Sequence, residues 1–236
     1  MARAIFKSWF VDFDPVRAKL EGRQPANMDA ETAALFPAEF EAGEGGRGAI
    51  ELIPKGWQVG RLDDLLVLQR GFDLPTSQRT PGMYPVIAAS GFSGTHSEFR
   101  VEGPGVVTGR SSVLGKVFFV HEDFWALNTA LWVKEFRISR PIHAYHLLQG
   151  LELATFNAGS AVPTLNRNHV HGLPMVLPPI EVVQAFEALV TPIFQRCRAN
   201  EKEAFTLATI RDALLPKLLS GELPVKDAEK LVEAVT

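Results

Sequence analysis

The chain has 236 residues, 46% of them apolar and 22% charged, with a formal net charge of −3. These are the proportions of a globular protein with room for one large domain, or one domain plus an appendage. No apolar run reaches the roughly 18 residues of a membrane span, and the single Cys197 excludes an internal disulfide framework and suits a reducing cytoplasm.

The first element is carried by "AIFKSWFVDFDPVRAKLEG", residues 4–22. Ile5, Phe6, Trp9, Phe10 and Val11 are followed by an acidic, proline-terminated stop, Asp12-Phe13-Asp14-Pro15. The pattern predicts the last turns of a helix whose remainder lies outside the chain, and Asp12 and Asp14 interrupt any signal-peptide layout. Residues 1–22 are thus an N-terminal helical segment, with Phe6, Trp9, Phe10 and Phe13 expected to pack against other helices. Residues 23–53 form a linker rich in Ala, Glu, Gly and Pro. Within it "ETAALFPAEF" predicts a short helix before Pro37, and "EAGEGGRG" a flexible stretch.

From residue 54 to 179 short apolar runs alternate with turn residues: "MYPVIAASG", "GPGVVTG", "GKVFFVHEDF", "ALWVKEF". These are strand signals. "RPIHAYHLLQGLELATF" carries helical spacing at Ile142, Tyr145, Leu148 and Leu151. The fold class is therefore α+β, a strand-rich domain joined to a long helix. This middle stretch holds eleven Lys and Arg against nine Asp and Glu, and all six histidines, whereas the flanks hold thirteen against eighteen. A mildly basic middle permits a polyanion partner.

Pro179 and Glu181 suit a helix start, and residues 180–221 then read as one helix. Phe186, Val190, Ile193, Cys197, Asn200, Ala204, Leu207, Leu214 and Leu218 recur at a 4–3 spacing, the seam of a coiled coil. Pro192 predicts a kink near Ala188, and Pro216 with Gly221 a stop. Asn200 is open to two readings: a buried polar residue fixing register, or an exposed residue in a seam one position off. Such a seam needs a second long helix, from another copy of the chain or another protein. Residues 222–236 form a tail.

"FKSWFVDFDPVRAKLEG", "IPKGWQVGRLDDL", "VPTLNRNHVHGLPMVLPPIEVVQAFEALV" and "NEKEAFTLATIRDALLPKLLSGEL" resemble successive signatures of the specificity (S) subunit of type I restriction–modification systems. S subunits hold two target-recognition domains, separated and followed by long helices. This chain resembles the second half of one, or a half-length one. The resemblance implies a non-catalytic subunit that reads double-stranded DNA and works with adenine-N6 methyltransferase (M) subunits and, in the full complex, motor–nuclease (R) subunits. It implies that the long helix docks the methyltransferase, in the cytoplasm. A rival is a dimerising adaptor that docks methyltransferase without reading DNA. Two copies paired antiparallel through the long helix would read an interrupted palindrome; a heterodimer would read an asymmetric site.

The residues agree with a chain that carries no cofactor of its own. There is no methylase-type Asn/Asp-Pro-Pro-Tyr/Phe motif, and the glycines of 43–48 read as linker. Cys197 reads as a packed seam thiol. His143 and His146, three apart, read as helix-surface histidines rather than a metal site. Candidate DNA contacts are Arg110, Ser111, Ser112 and Lys116 in "VVTGRSSVLGKVFFV", where a glycine-flanked arginine on a hairpin tip presents a planar fork to guanine or phosphate. His96 and Arg100 in a Gly/Ser-rich loop suit phosphate. Asn166, Arg167 and Asn168 suit bases or backbone, or else a helix cap at the junction with the long helix. Asn128 and Thr129 read as ties to backbone groups, beside packed Trp125 and Trp132.

Overall fold

The computed structural model describes residues 1–43, 52–156 and 164–224. The chain divides into two units, Met1–Leu189 and Val190–Thr236. No helix among the described residues is long and apolar enough to cross a membrane.

In chain order the first unit contains α1 (Ala2–Phe10), α2 (Asp14–Leu20), α3 (Ala30–Ala34), β1 (Phe40–Ala42), β2 (Leu52–Pro54), β3 (Gln58–Arg61), α4 (Leu62–Leu65) and β4 (Leu66–Arg70). It continues through β5 (Tyr84–Ala88), β6 (Gly91–His96), β7 (Gly105–Gly109), β8 (Val117–Val120), β9 (Trp125–Ala126) and β10 (Ala130–Phe136). Last come α5 (Pro141–Gly150), α6 (Arg167–His171), β11 (Pro174–Leu177) and the start of α7 (Ile180–Leu219).

An antiparallel sheet in the order β4-β10-β7-β8 forms the centre, with a second sheet in the order β6-β5-β9 and the pairs β1-β2 and β11-β3. Period-two alternation explains how the central sheet is covered on both faces. Val106, Leu131 and Val133 pack with Ala144 and Leu148 of α5. Their neighbours Val107 and Ala130 pack with Ile87, Phe124 and Ala126 on the other side. β7 is buried at all five positions, which accounts for its continuous apolar "GVV" run. Each Val or Leu buried in such a core contributes about 1.5–3 kcal/mol.

The "DFDP" stretch is a corner rather than a stop. Phe13 takes a left-handed conformation (φ 55°), and Pro15 sits at the start of a second helix, α2, where its missing N–H has no helical partner to lose. α3 is capped by Asp29, whose carboxylate accepts the Thr32 N–H at 2.7 Å, within the stretch expected to be helical. Most of the "EAGEGGRG" stretch lies outside the described residues.

The N-terminal aromatics converge on α7. Phe6, Trp9 and Phe10 lie 6.0, 6.0 and 5.3 Å ring to ring from Phe186. Phe13 packs edge-on to Trp57 at 5.6 Å. Phe186 is fully buried within this unit. Its expected place on an intermolecular seam is therefore corrected: α1 covers it. Val190, also fully buried in the single chain, leaves the exposed seam in the same way. The helix-surface reading of His143 and His146 is overturned as well. Both are buried, in ring contact with Phe6, because α5 turns that face toward the same aromatic cluster. Among the described residues no group of three metal-binding side chains forms around them.

His143 hydrogen-bonds Ser139 Oγ at 2.8 Å. Burial, then the neighbouring His146, pushes its pKa down to about 3. The folded pKa lies below the ordinary 6.5, so the stabilisation is complete above pH 6.5 and is lost as pH falls toward 3. Each unit in that window costs up to about 1.4 kcal/mol. Glu187 accepts the N–H groups of Ile142 and His143 at 2.9 and 3.1 Å, and burial shifts its carboxyl upward, in the opposite sense. Denaturant titrations of the parent and of His143→Gln between pH 7 and pH 4.5 isolate the histidine. The parent is expected to lose stability more steeply; parallel curves would refute this assignment.

In the second unit α7 runs on without a break past Pro216 to Leu219. The expectation that Pro216 ends the helix is corrected. Termination falls to Gly221 (φ 75°), whose N–H bonds Leu218 O at 3.2 Å. Forty residues give a helix about 60 Å long. Cys197, Asn200 and Leu207 are exposed, whereas Ile193, Leu214 and Leu218 are half-exposed. Phe205, Leu215 and Leu219, at 75%, 49% and 81% exposure, line a stripe beside the seam.

Candidate nucleic-acid interface

One end of the central sheet gathers loops that are distant in sequence. β7 ends at Gly109, where the chain has no room for a side chain: a Cβ there would lie 1.7 Å from Val113 O. This close approach folds residues 110–116 tightly back before β8. The N–H groups of Arg110 and Ser111 both donate to Thr129 O, at 2.9 and 3.1 Å. The Arg110 carbonyl accepts the Leu165 N–H at 2.8 Å, and Ser111 bridges Thr164. Arg110 is thus stitched into the frame at the base of the loop, not held at a hairpin tip. Its half-buried side chain has no hydrogen bond or ion pair among the described residues. Ser112 is exposed with φ 69°, and Lys116 is exposed while its carbonyl accepts Thr108 Oγ1 at 2.9 Å.

The bridge to 164–165 brings the second candidate stretch alongside. Asn166 Oδ1 accepts the Asn168 N–H at 2.9 Å and caps α6, so of the two readings open for Asn166 the cap is the observed one. Arg167, Asn168 and His169 on the first turn of α6 are exposed. His171 ties α6 to the sheet: its Nε2 accepts the Leu68 N–H at 2.9 Å, and burial first of all lowers its pKa, which keeps that nitrogen an acceptor.

The third candidate stretch lies elsewhere. His96 is 6% exposed, takes the Thr80 N–H on Nδ1 at 3.0 Å and stacks edge-on to Trp125 at 5.3 Å. Its assignment as a DNA contact is corrected to a core histidine, because Trp125 and the Thr80 backbone enclose it at the end of β6. Arg100 is exposed with its guanidinium 5.1 Å from the Trp125 ring. It lines a groove of about 490 Å³ together with Phe99, Trp132 and Lys134.

Sequence reasoning missed Arg70 and Asp73. Arg70 reaches Asp73 at 3.4 Å, with side chains 52% and 70% exposed, and Asn128 Nδ2 donates to Asp73 Oδ1. Neither residue sits in a motif; the pairing of Arg70 with Leu131 and of Phe72 with Leu127 carries them to this end of the sheet.

A family model described as the type I restriction modification DNA specificity domain matches residues 54–193. The MjaIX type I restriction enzyme specificity subunit of Methanocaldococcus jannaschii is 27% identical over 251 residues, covering 96% of this chain and 53% of that protein. The HindI specificity subunit of Haemophilus influenzae is 25% identical over 286 residues, covering 94% and 61%. The chain thus spans between half and two thirds of the length of these curated relatives. A type I restriction–modification S subunit from M. genitalium superposes with a TM-score of 0.56 at 16% identity, over 70% of this chain and 46% of that one, a likeness of fold.

Proposed function

This chain belongs to the type I restriction–modification DNA specificity family, and from that premise we propose that it is a non-catalytic subunit that reads a short half-site in double-stranded DNA. In this reading residues 54–179 are the recognition domain and 180–221 the spacer helix. The observation that carries it is the Arg110 O to Leu165 N–H bond. This bond joins an unpaired arginine fork, two serines and the exposed α6 turn into one polar, cationic surface on a rigid sheet end. Arg110 would take guanine O6 and N7 in the major groove, while Lys116, Arg167 and Ser112 hold phosphates.

Arg110→Ala is expected to weaken binding to the preferred duplex by about 1–3 kcal/mol with an unchanged thermal midpoint. For the parent, log K should fall linearly with log[salt], by about 0.9 per phosphate contacted. A variant that binds and selects DNA as the parent does would remove Arg110 from the interface. A parent without salt-dependent binding would refute the function.

The proposed partners are adenine-N6 methyltransferase subunits, docked along α7, with motor–nuclease subunits in the complete assembly and the cytoplasm as compartment. We further propose that two copies pair their α7 helices antiparallel. A two-fold dimer presents identical domains in opposite directions, and the part of α7 in the second unit, residues 190–219, rises about 45 Å, enough for a spacer of more than one DNA turn. The target would be two inverted copies of one half-site around an unread spacer. Mapping of methylated adenines in cells that carry the system tests this; a motif whose halves are not inverted repeats would overturn the homodimer.

A further inference from the structure

Asp73 is a carboxylate in a cationic setting. It stands at the same sheet end as Arg110, and the two residues before it, Gly71 and Phe72, are clamped to the turn that holds Arg110. Phe72 N–H donates to Ala126 O at 2.8 Å, Asn128 N–H donates to Phe72 O at 3.0 Å, and Gly71 N–H donates to Ala130 O at 3.1 Å. A Cβ on Gly71 would lie 2.3 Å from Leu127 O, so the two segments touch backbone to backbone. The turn continues directly into Thr129, whose carbonyl binds Arg110 and Ser111. Asp73 and Arg110 therefore share one rigid frame.

The side chains around Asp73 orient it without covering it. Asn128 Nδ2 and Arg70 Nη2 both address Oδ1, and Arg70 Nε rests at 3.5 Å from Asn128 O. Oδ2 has no partner among the described residues, and the side chain is 70% exposed. An exposed carboxylate repels phosphates, so on a DNA-facing surface it weakens non-specific binding. It becomes favourable only where it meets a donor, and in the major groove the base donors are the exocyclic amino groups of cytosine and adenine.

We propose that Asp73, oriented by Asn128 and Arg70, reads one base of the half-site by accepting a hydrogen bond from an exocyclic amino group, cytosine N4 or adenine N6. This rests on the DNA-recognition reading above. Asp73 sets specificity by attraction to one donor and by repulsion elsewhere. Asn128 is a positioning residue that fixes Oδ1 so that Oδ2 faces outward. A pair this exposed, at 3.4 Å, adds little to folding stability, so its removal leaves a folded protein to measure.

The test is selection of bound sequences from a randomised duplex library, together with competition titrations, on the full chain as the parent, Asp73→Ala, Asn128→Ala and Arg110→Ala. Asp73→Ala is expected to lose its preference for cytosine or adenine at one position. Its affinity for the preferred duplex should fall by roughly 5- to 100-fold, while its affinity for random duplex stays equal or rises. Asn128→Ala should relax the same position more weakly, and Arg110→Ala a different one. An unchanged Asp73→Ala profile, with Arg110→Ala altered, would overturn this inference alone. Even weakening at all positions with a lowered thermal midpoint would also overturn it, as the mark of a structural role. A parent with no base preference would overturn the recognition reading together with this one.

Discussion

Replacing Leu207 and Leu214 together by glutamate is expected to turn an α7-paired dimer into monomers. Both lie on the 4–3 seam of the second unit; Leu207 is 51% exposed and Leu214 half-exposed in the single chain. Burial of a leucine is worth about 1.5–3 kcal/mol, and two-fold symmetry makes every substitution count twice. Both side chains are already about half buried in the single chain, so the double change removes about 3–6 kcal/mol of association energy and adds four like charges at the seam. That is a large share of the roughly 8 kcal/mol of a micromolar dimer. Light scattering at micromolar concentration should then report one chain where the parent reports two. DNA affinity should fall with it, by about 10²–10⁴ if the two half-sites are bound together. A parent that is already monomeric would sink the homodimer, and a dimeric double variant would move the interface to the stripe of Phe205, Leu215 and Leu219.

Phe186→Ala is expected to act on the other half of the same helix in the opposite way. Phe186 is fully buried among Phe6, Trp9, Phe10 and His143, with ring separations between 5.3 and 6.2 Å. Removing such a ring costs about 3–5 kcal/mol through lost burial and the cavity left behind. A domain of this size is held by about 5–15 kcal/mol in all. The denaturation midpoint should therefore drop sharply, while any folded variant keeps the association state of the parent. Loss of association without loss of stability would return Phe186 to the intermolecular seam. The two experiments divide α7 into a stretch that belongs to the chain's own core and a stretch whose apolar side chains remain exposed.

How much of this was legible in the sequence depended on whether the signal was local. The strand-rich middle could be read because Val, Phe and Trp runs punctuated by glycine and proline are short-range patterns, and α7 because a 4–3 repeat persists over many turns. The "DFDP" corner was misread because Pro-containing stops and Pro-containing starts look alike; only α2 behind Pro15 tells them apart. Phe186 and His96 were misassigned for one shared reason. Periodicity says which residues lie on one face of an element but not what that face meets. α1 covers Phe186, and Trp125 with the Thr80 backbone encloses His96.

By itself, then, the sequence determined the class of the fold, the order of its parts, the long helix, and the family. Each is written in spacings of a few residues or in stretches of matching motif. The tertiary structure alone decided which polar residues share a surface. Arg110 and Asn166 are 56 positions apart, and Asp73 and Asn128 are 55 apart. The first pair meets through the backbone bonds of Thr129 and Leu165 to Arg110, and the second through antiparallel pairing of β4 with β10 and the bridge of Phe72 to Leu127; both close long loops. Such contacts are set by which strands pair, and no local pattern encodes which distant strand supplies the partner.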